Sequence, residues 1–328
     1  MTSRKLDIVA IGDAIVDVIA TCDDDFLARH RLPKGSMQLL DPAAAERLYD
    51  AMGSAREASG GSAANSMAGF AAMGGRAAFV GQVADDQLGQ IFAHDMRALG
   101  VEFDTAPIND GLPTGRCLIL VTPDAQRTMN TCPGAAHQLA PAALDEKVIR
   151  DASILFLEGY CWGPELPRKT MARAVEIAHA AGNQVAFTLS ESVCIVGRKE
   201  GFEAMIDGGG VDLLFANEDE VLQLTGAAEL QSALERLGKN VPTLVVTRGA
   251  AGALALEDGV RTDGPAVPVH QVIDTTGAGD LFAAGFLAAR CKGHGIERQL
   301  MTGGIAAAEV FSHFGARPIA NLRELVKL

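Results

Sequence analysis

Asp274-Thr275-Thr276-Gly277-Ala278-Gly279-Asp280 is the stretch on which the reading of this chain turns. Three small residues, 277 to 279, run directly into Leu281-Phe282-Ala283-Ala284-Gly285-Phe286-Leu287, and this pattern predicts a long apolar helix from Gly277 to about Ala289. A helix start leaves its first N–H groups unpaired and carries a partial positive charge. Without bulky side chains the backbone approaches an anion closely. Such an anion hole can hold the charge that develops on a transferred phosphoryl group. Asp280 then lies within reach of an incoming hydroxyl. An ordinary carboxylate is a weak base, but in a loose transition state it accepts the proton only late. A Gly-rich turn with a capping Asp is the bland alternative; two acids framing the site, with Thr275 and Thr276 between them, favour the chemical reading.

Upstream of this stretch, strands and helices alternate. Ile8-Val9-Ala10-Ile11 ends at Gly12 and reads as a buried first strand, and 14–20 reads as a strand that carries acids. Helices are predicted over 62–73, stopped by Gly74-Gly75, and over 85–99, with an Asp cap and Gly100 at its end. A strand at 77–80 lies between them. Residues 101–132 break the rhythm: 114–121 and 127–131 flank Pro123-Asp124 and predict a hairpin, part of a small antiparallel sheet joined by 14–20. The alternation then resumes, with strands at 154–157, 185–189, 213–216 and 243–247 and helices at 167–181 and from Gly304 to about His313. This is an α/β pattern with a mainly parallel sheet. The expected division is a core of 1–13, 41–100 and 133–328 with a small β lid of 14–40 and 101–132.

Composition narrows the function classes. The chain has 328 residues, 48% of them apolar, enough for a large core and against disorder. Its net charge of −13 disfavours nucleic acid as a partner. The six cysteines show no C-x-x-C pair and no zinc spacing, as expected of free thiols in the cytoplasm. Asp7, Asp13 and Asp17 interrupt the apolar N-terminus, which a secretory signal does not tolerate, and no membrane span is expected. There is no G-x-x-x-x-G-K-[ST], no G-x-G-x-x-G after the first strand and no G-x-S-x-G.

Asp274 to Asp280 resembles the C-terminal signature of the ribokinase-like, or PfkB, family of carbohydrate and nucleoside kinases. Ser59-Gly60-Gly61-Ser62-Ala63-Ala64-Asn65, followed by Gly74-Gly75, Gly81 and Asp85-Asp86-Gln87-Leu88-Gly89, resembles its N-terminal glycine-rich motif. Asn217-Glu218-Asp219-Glu220 is similar to its N-x-x-E motif, and Thr247-Arg248-Gly249-Ala250-Ala251-Gly252 to its nucleotide-side turn. All four occur in family order. The resemblance implies a ribokinase-like three-layer α/β/α core with a small β-sheet lid, ATP and Mg²⁺ as cofactors, and K⁺ as a candidate. It implies Asp280 as catalytic base and Gly277, Ala278 and Gly279 as the anion hole. Asn217 and Glu220 match the pair that organises Mg²⁺ through water. Thr247 and Gly249 match the nucleotide rim, Arg127 an Arg that helps hold the phosphates, and Gly61 and Asn65 the sugar-binding motif. Asp274 and Thr276 are candidate ligands for a monovalent cation.

Within the family, the N-terminal third is similar to adenosine kinases. Asp17 takes the position of an acid that grips ribose hydroxyls, and a carboxylate suits a cis-diol. Asp13 stands where Asn is frequent. Ile15, Met37, Leu39, Cys117 and Tyr160 are candidates for the wall of a base pocket. Gly159-Tyr160-Cys161-Trp162 departs from the adjacent aromatics of animal adenosine kinases, with Cys161 replacing one of them; Tyr160 or Trp162 remains to sandwich a base. Three readings follow: transfer of the ATP γ-phosphoryl group to the 5′-hydroxyl of a nucleoside, adenosine preferred; a sugar kinase acting on ribose, fructose or 2-keto-3-deoxygluconate; and a catalytically silent nucleoside-binding protein. Asp13 and Asp17 argue against an anionic acceptor, and retention of Asp280, Asn217 and Glu220 against silence. The expected state is a monomer or homodimer, since a projecting lid edge can pair with another subunit or simply close over substrate.

Overall fold

The computed structural model describes residues 5–124 and 126–328. Along the chain the strands are β1 (Ile8–Ile11), β2 (Ile15–Thr21), β3 (Met37–Leu39), β4 (Arg56–Gly60), β5 (Ala77–Val80), β6 (Val101–Glu102), β7 (Gly115–Val121), β8 (Arg127–Cys132), β9 (Ile154–Glu158), β10 (Gln184–Thr188), β11 (Leu213–Asn217), β12 (Thr243–Thr247), β13 (Ala253–Glu257) and β14 (Val260–Gly264). They form a nine-stranded sheet, ordered β14-β13-β12-β11-β10-β9-β1-β5-β6, and a five-stranded sheet, ordered β3-β8-β7-β2-β4. From β12 to β6 the large sheet is parallel; β13 and β14 add an antiparallel edge.

The continuous apolar runs explain the three layers, because a parallel strand covered on both faces has no polar side. Alternation sends Ile8 and Ala10 into one core cluster with Phe79, Phe156 and Phe215. Buried side chains of the helices Ser62–Ala72 and Ala278–Cys291 complete that cluster. Val9 and Ile11 point the other way, to Leu155, Phe187 and Leu214, with the helices Glu165–Ala180 and Glu218–Thr225.

One expected helix is displaced. It runs from Ile296 to Val310, not from Gly304 to about His313. Gly304 reads as a start, yet it lies inside the helix, where the preceding residue, Gly303, crosses Ala278–Cys291 at close range. A Cβ on Gly303 would fall 2.8 Å from the Phe282 carbonyl, and one on Gly285 would fall 2.6 Å from that of Thr302. Small residues here serve contact between helices.

The smaller sheet is mixed and not antiparallel as expected. β7–β8 and β2–β4 are antiparallel, but β2–β7 and β3–β8 are parallel. The long chain between β2 and β7 permits the crossover that a parallel pair needs. Two strands also lie outside the expected division. β4 belongs to the smaller sheet, where Gly60 pairs with Ile15, and β6 closes the edge of the larger one. The rear face of the small sheet, with Val16, Val18, Leu118 and Leu120, joins the main core. The register brings Ile15, Asp17 and Ile19 onto the front face beside Cys117, Ile119 and Val121, then Met129 and Arg127, then Met37 and Leu39.

Candidate active site

The helix Ala278–Cys291 starts behind Gly277, whose φ of 78° is left-handed and which no side chain caps. A Cβ at Gly277 would lie 2.5 Å from that of Ala316, so the turn requires glycine. Ala278 N–H donates to the Thr275 carbonyl at 3.2 Å, and the N–H groups of Gly279 and Asp280 remain available to an anion. Asp280 stands in that first turn. Its Oδ1 accepts from Ser62 Oγ at 2.6 Å and its Oδ2 from Asn65 Nδ2 at 2.9 Å. Burial raises the Asp280 carboxyl above its ordinary value, against the opposing pull of Ser62, Asn65 and Arg317.

The turn at Gly61 brings these donors to Asp280. Gly61 has a φ of 91° and precedes the helix Ser62–Ala72; a Cβ there would lie 2.3 Å from the Asp13 carbonyl. Glu158, at the end of β9, ties the same corner together. Its Oε1 accepts the Asp13 N–H and its Oε2 the Ala63 N–H, both at 2.6 Å. Burial, then Asp13, pushes Glu158 up to about 8. Asp13 also accepts from the Cys161 thiol at 3.1 Å, and its other oxygen lies 3.6 Å from His137 Nε2. On the small sheet, burial raises Asp17 to about 6; Arg317 and Arg127 oppose the shift and Asp280 adds to it.

On the nucleotide side, Asn217 ends β11 opposite Thr247 on β12. Asn217 and Glu220 form a reciprocal capping box: Asn217 N–H and Nδ2 donate to Glu220, and Glu220 N–H donates to Asn217 Oδ1, all within 2.9 Å. Burial raises Glu220 to about 7, with Glu191 and Asp219 adding to the shift. A buried acid among other acids, with its amide partner already engaged, suits a hydrated Mg²⁺ supported through water. Gly249, at φ 53°, opens the short turn after β12.

Arg127 reaches across from β8 and pairs with Asp274 and with Thr276 Oγ1. Asp274 also accepts from Thr276 N–H and Oγ1 and from Gly315 N–H. Burial works to raise the Asp274 carboxyl, but these donors outweigh it and hold the group below the usual carboxylate range. Both oxygens are engaged, so the donor set as it stands does not fit a monovalent cation bound through Asp274 and Thr276.

The structure gathers Asp17, Ile15, Cys117 and Met37 on one face, but not Tyr160. Tyr160 packs against the other core cluster and its hydroxyl donates to Glu191 at 3.2 Å. Trp162 stacks on Phe202 within the same cluster, so neither ring stands ready to sandwich a base. Leu39 lies on the expected face but is 65% exposed at the sheet edge. Three residues of the site escaped the sequence reading. Ser62 lies inside the glycine-rich motif itself. Glu158 is a buried acid at the carboxyl end of the apolar parallel strand β9, a signal for a site there. Arg317 carries no local pattern at all. No helix among the described residues is long and apolar enough to cross a membrane.

Known proteins share this architecture. The chain is similar to a solved probable sugar kinase protein from Rhizobium etli, with 41% identity, a TM-score of 0.92 and coverage of 99% of this chain and 98% of that one. It is similar to adenosine kinase from Sinorhizobium meliloti, with 43% identity, a TM-score of 0.91 and coverage of 98% and 99%. Among curated proteins it is 28% identical over 278 residues to 5-dehydro-2-deoxygluconokinase of Shouchella clausii, covering 82% of this chain and 85% of that protein. Residues 5–322 match the family described as pfkB family carbohydrate kinase. The chain belongs to this family and is an ATP-dependent phosphotransferase with a hydroxyl group as acceptor.

Proposed function

We propose that the chain transfers the γ-phosphoryl group of ATP to the 5′-hydroxyl of a nucleoside, adenosine first among them, with Asp280 as the base. The observation that carries this reading is the register of the small sheet. It sets Asp17 within an apolar face of Ile15, Ile19, Cys117 and Ile119. A free sugar needs the carboxylate but has little use for the apolar surround; a nucleoside uses both. The name of the Sinorhizobium meliloti relative, an adenosine kinase, agrees.

In this reading Asp17 accepts two ribose hydroxyls and fixes the sugar. Ser62 and Asn65 hold the Asp280 carboxylate, which takes the proton of the 5′-hydroxyl as the new O–P bond forms and the bond from the γ-phosphorus to the departing ADP oxygen breaks. The N–H groups behind Gly277 hold the transferring charge. Bound Mg²⁺, supported by Asn217 and Glu220, would neutralise phosphate charge. Arg127 exchanges its bonds to Asp274 and Thr276 for the phosphates of ATP.

A second reading, a sugar kinase, is favoured by the engagement of Tyr160 with Glu191 and of Trp162 with Phe202. An ATP-to-ADP assay over adenosine, guanosine, inosine, cytidine, ribose, fructose and 2-keto-3-deoxygluconate separates the two. Adenosine is expected to show the highest kcat/KM, by about tenfold or more over any free sugar. A response confined to the sugars would overturn the nucleoside reading.

A further inference from the structure

We propose that Arg317 is a positioning residue of the acceptor site, one guanidinium that braces the glycine turn and supplies the positive field shared by Asp17 and Asp280. The proposal rests on the reading of those two acids as acceptor-side groups.

The geometry is specific. Arg317 Nε and Nη2 both donate to the Ser59 carbonyl, at 3.2 and 3.1 Å, and Nη2 also reaches Ser59 Oγ at 3.1 Å. Nη1 donates to the Ala64 carbonyl at 2.7 Å. Ser59 immediately precedes Gly60-Gly61, and Ala64 stands in the helix turn that carries Ser62 and Asn65. One planar fork therefore spans the whole turn that presents donors to Asp280. A lysine cannot do this, because its ammonium lacks the rigid spread of donors. Asp95 supports the arrangement from the helix Gln87–Ala98, accepting the Ser59 N–H at 2.9 Å.

None of these hydrogen bonds ends on a carboxylate, so the charge of Arg317 acts through space. Burial pulls its guanidinium down to about 10, opposed by Asp17, Asp280 and Asp95, and it stays cationic at neutral pH. The charges around Asp17 are Arg317, Arg127 and Asp280; Asp280 in turn bears on Glu158. Arg127 is tied to Asp274. A Cβ on Gly60 would fall 2.6 Å from the Asp17 carboxyl, and Ser62 and Asn65 donate to Asp280, so both acids lie against the turn that Arg317 holds and both feel its charge. Two carboxylates facing one substrate repel, and this field keeps both available as anions.

The test uses Arg317→Gln, which removes the charge, and Arg317→Lys, which keeps it and loses the fork. The ionisation midpoint of Asp17 is followed by carboxyl-carbon NMR, and kcat/KM for the acceptor is followed from pH 5.5 to 9 at saturating ATP. In Arg317→Gln the Asp17 midpoint and the acid limb of the profile should both move up by about one pH unit, with the KM for ATP unchanged. In Arg317→Lys both should stay near wild type while kcat falls. An Asp17 midpoint unmoved in Arg317→Gln overturns the proposal. A midpoint that moves while the kinetic limb does not supports the field of Arg317 and faults the acceptor-site reading of Asp17 instead. If Arg317→Gln does not fold, a midpoint displaced upward by about a unit in Arg317→Lys also overturns the proposal.

Discussion

Asp280 is held by two neutral donors and no direct ion pair, which keeps its carboxylate oriented without suppressing its basicity as strongly as a salt bridge would. Asn at this position keeps the volume and one acceptor for Ser62, but it cannot take a proton. Asp280→Asn should therefore lower kcat by roughly 10²–10⁴ and leave ATP affinity largely intact. Near-normal turnover, measured with ATP affinity by calorimetry, would remove Asp280 from the role of base. Asp280 and Asn65 are legible in the sequence because small residues at fixed spacing announce a helix start that must stay bare. Arg317 and Glu158 are not, because their meaning lies in partners 253 and 95 residues away at Ala64 and Ala63. Tyr160 shows the opposite failure. An aromatic near the right strand end is visible in the sequence, but the direction of its ring depends on Glu191 and the outer core.

The same limit operates between elements. The apolar runs that become β1, β9, β10, β11 and β12 declare themselves, since a strand buried on both faces needs apolar side chains throughout. The crossing of Ala278–Cys291 with Ile296–Val310 does not, because glycine reads first as a terminator. At this crossing glycine is what lets the Asp280-bearing helix sit close to its neighbour. In Gly285→Ala the new methyl would meet the Thr302 backbone at 2.6 Å. A backbone atom cannot swing aside as a side chain does, so the helices must separate. The expected loss is about 1–3 kcal/mol of stability. Because the displaced helix carries Asp280, kcat should fall more than the KM for ATP rises. Denaturant unfolding and steady-state kinetics read the two effects; a variant with unchanged midpoint and turnover would show that the crossing has slack.

At the scale of the whole molecule, the site concentrates buried acids in a chain whose net charge is already −13. Burial raises Asp17 to about 6, Glu220 to about 7 and Glu158 to about 8. A carboxyl whose folded value exceeds its unfolded one binds its proton more tightly when folded. Its contribution to stability is fully present below the unfolded value and is lost as pH rises through the folded one. For these three groups the window opens near the ordinary carboxylate range and closes at about 8. Asp274, held low by Gly315, Thr276 and Arg127, acts in the opposite sense, and its contribution is lost only in stronger acid. The unliganded protein should therefore be most stable near pH 5 and lose thermal midpoint up to about pH 8, where the curve levels. Calorimetry from pH 5 to 9 checks this, and a midpoint that climbs steadily across that range would contradict it. Glu158→Gln sharpens the test. The amide can accept from only one of the Asp13 and Ala63 N–H groups, so the variant should lose about 1–3 kcal/mol at pH 5. It also removes the highest of the three raised groups. Its levelling should then move to lower pH. A variant that still levels at about 8 would assign the last proton to some group other than Glu158.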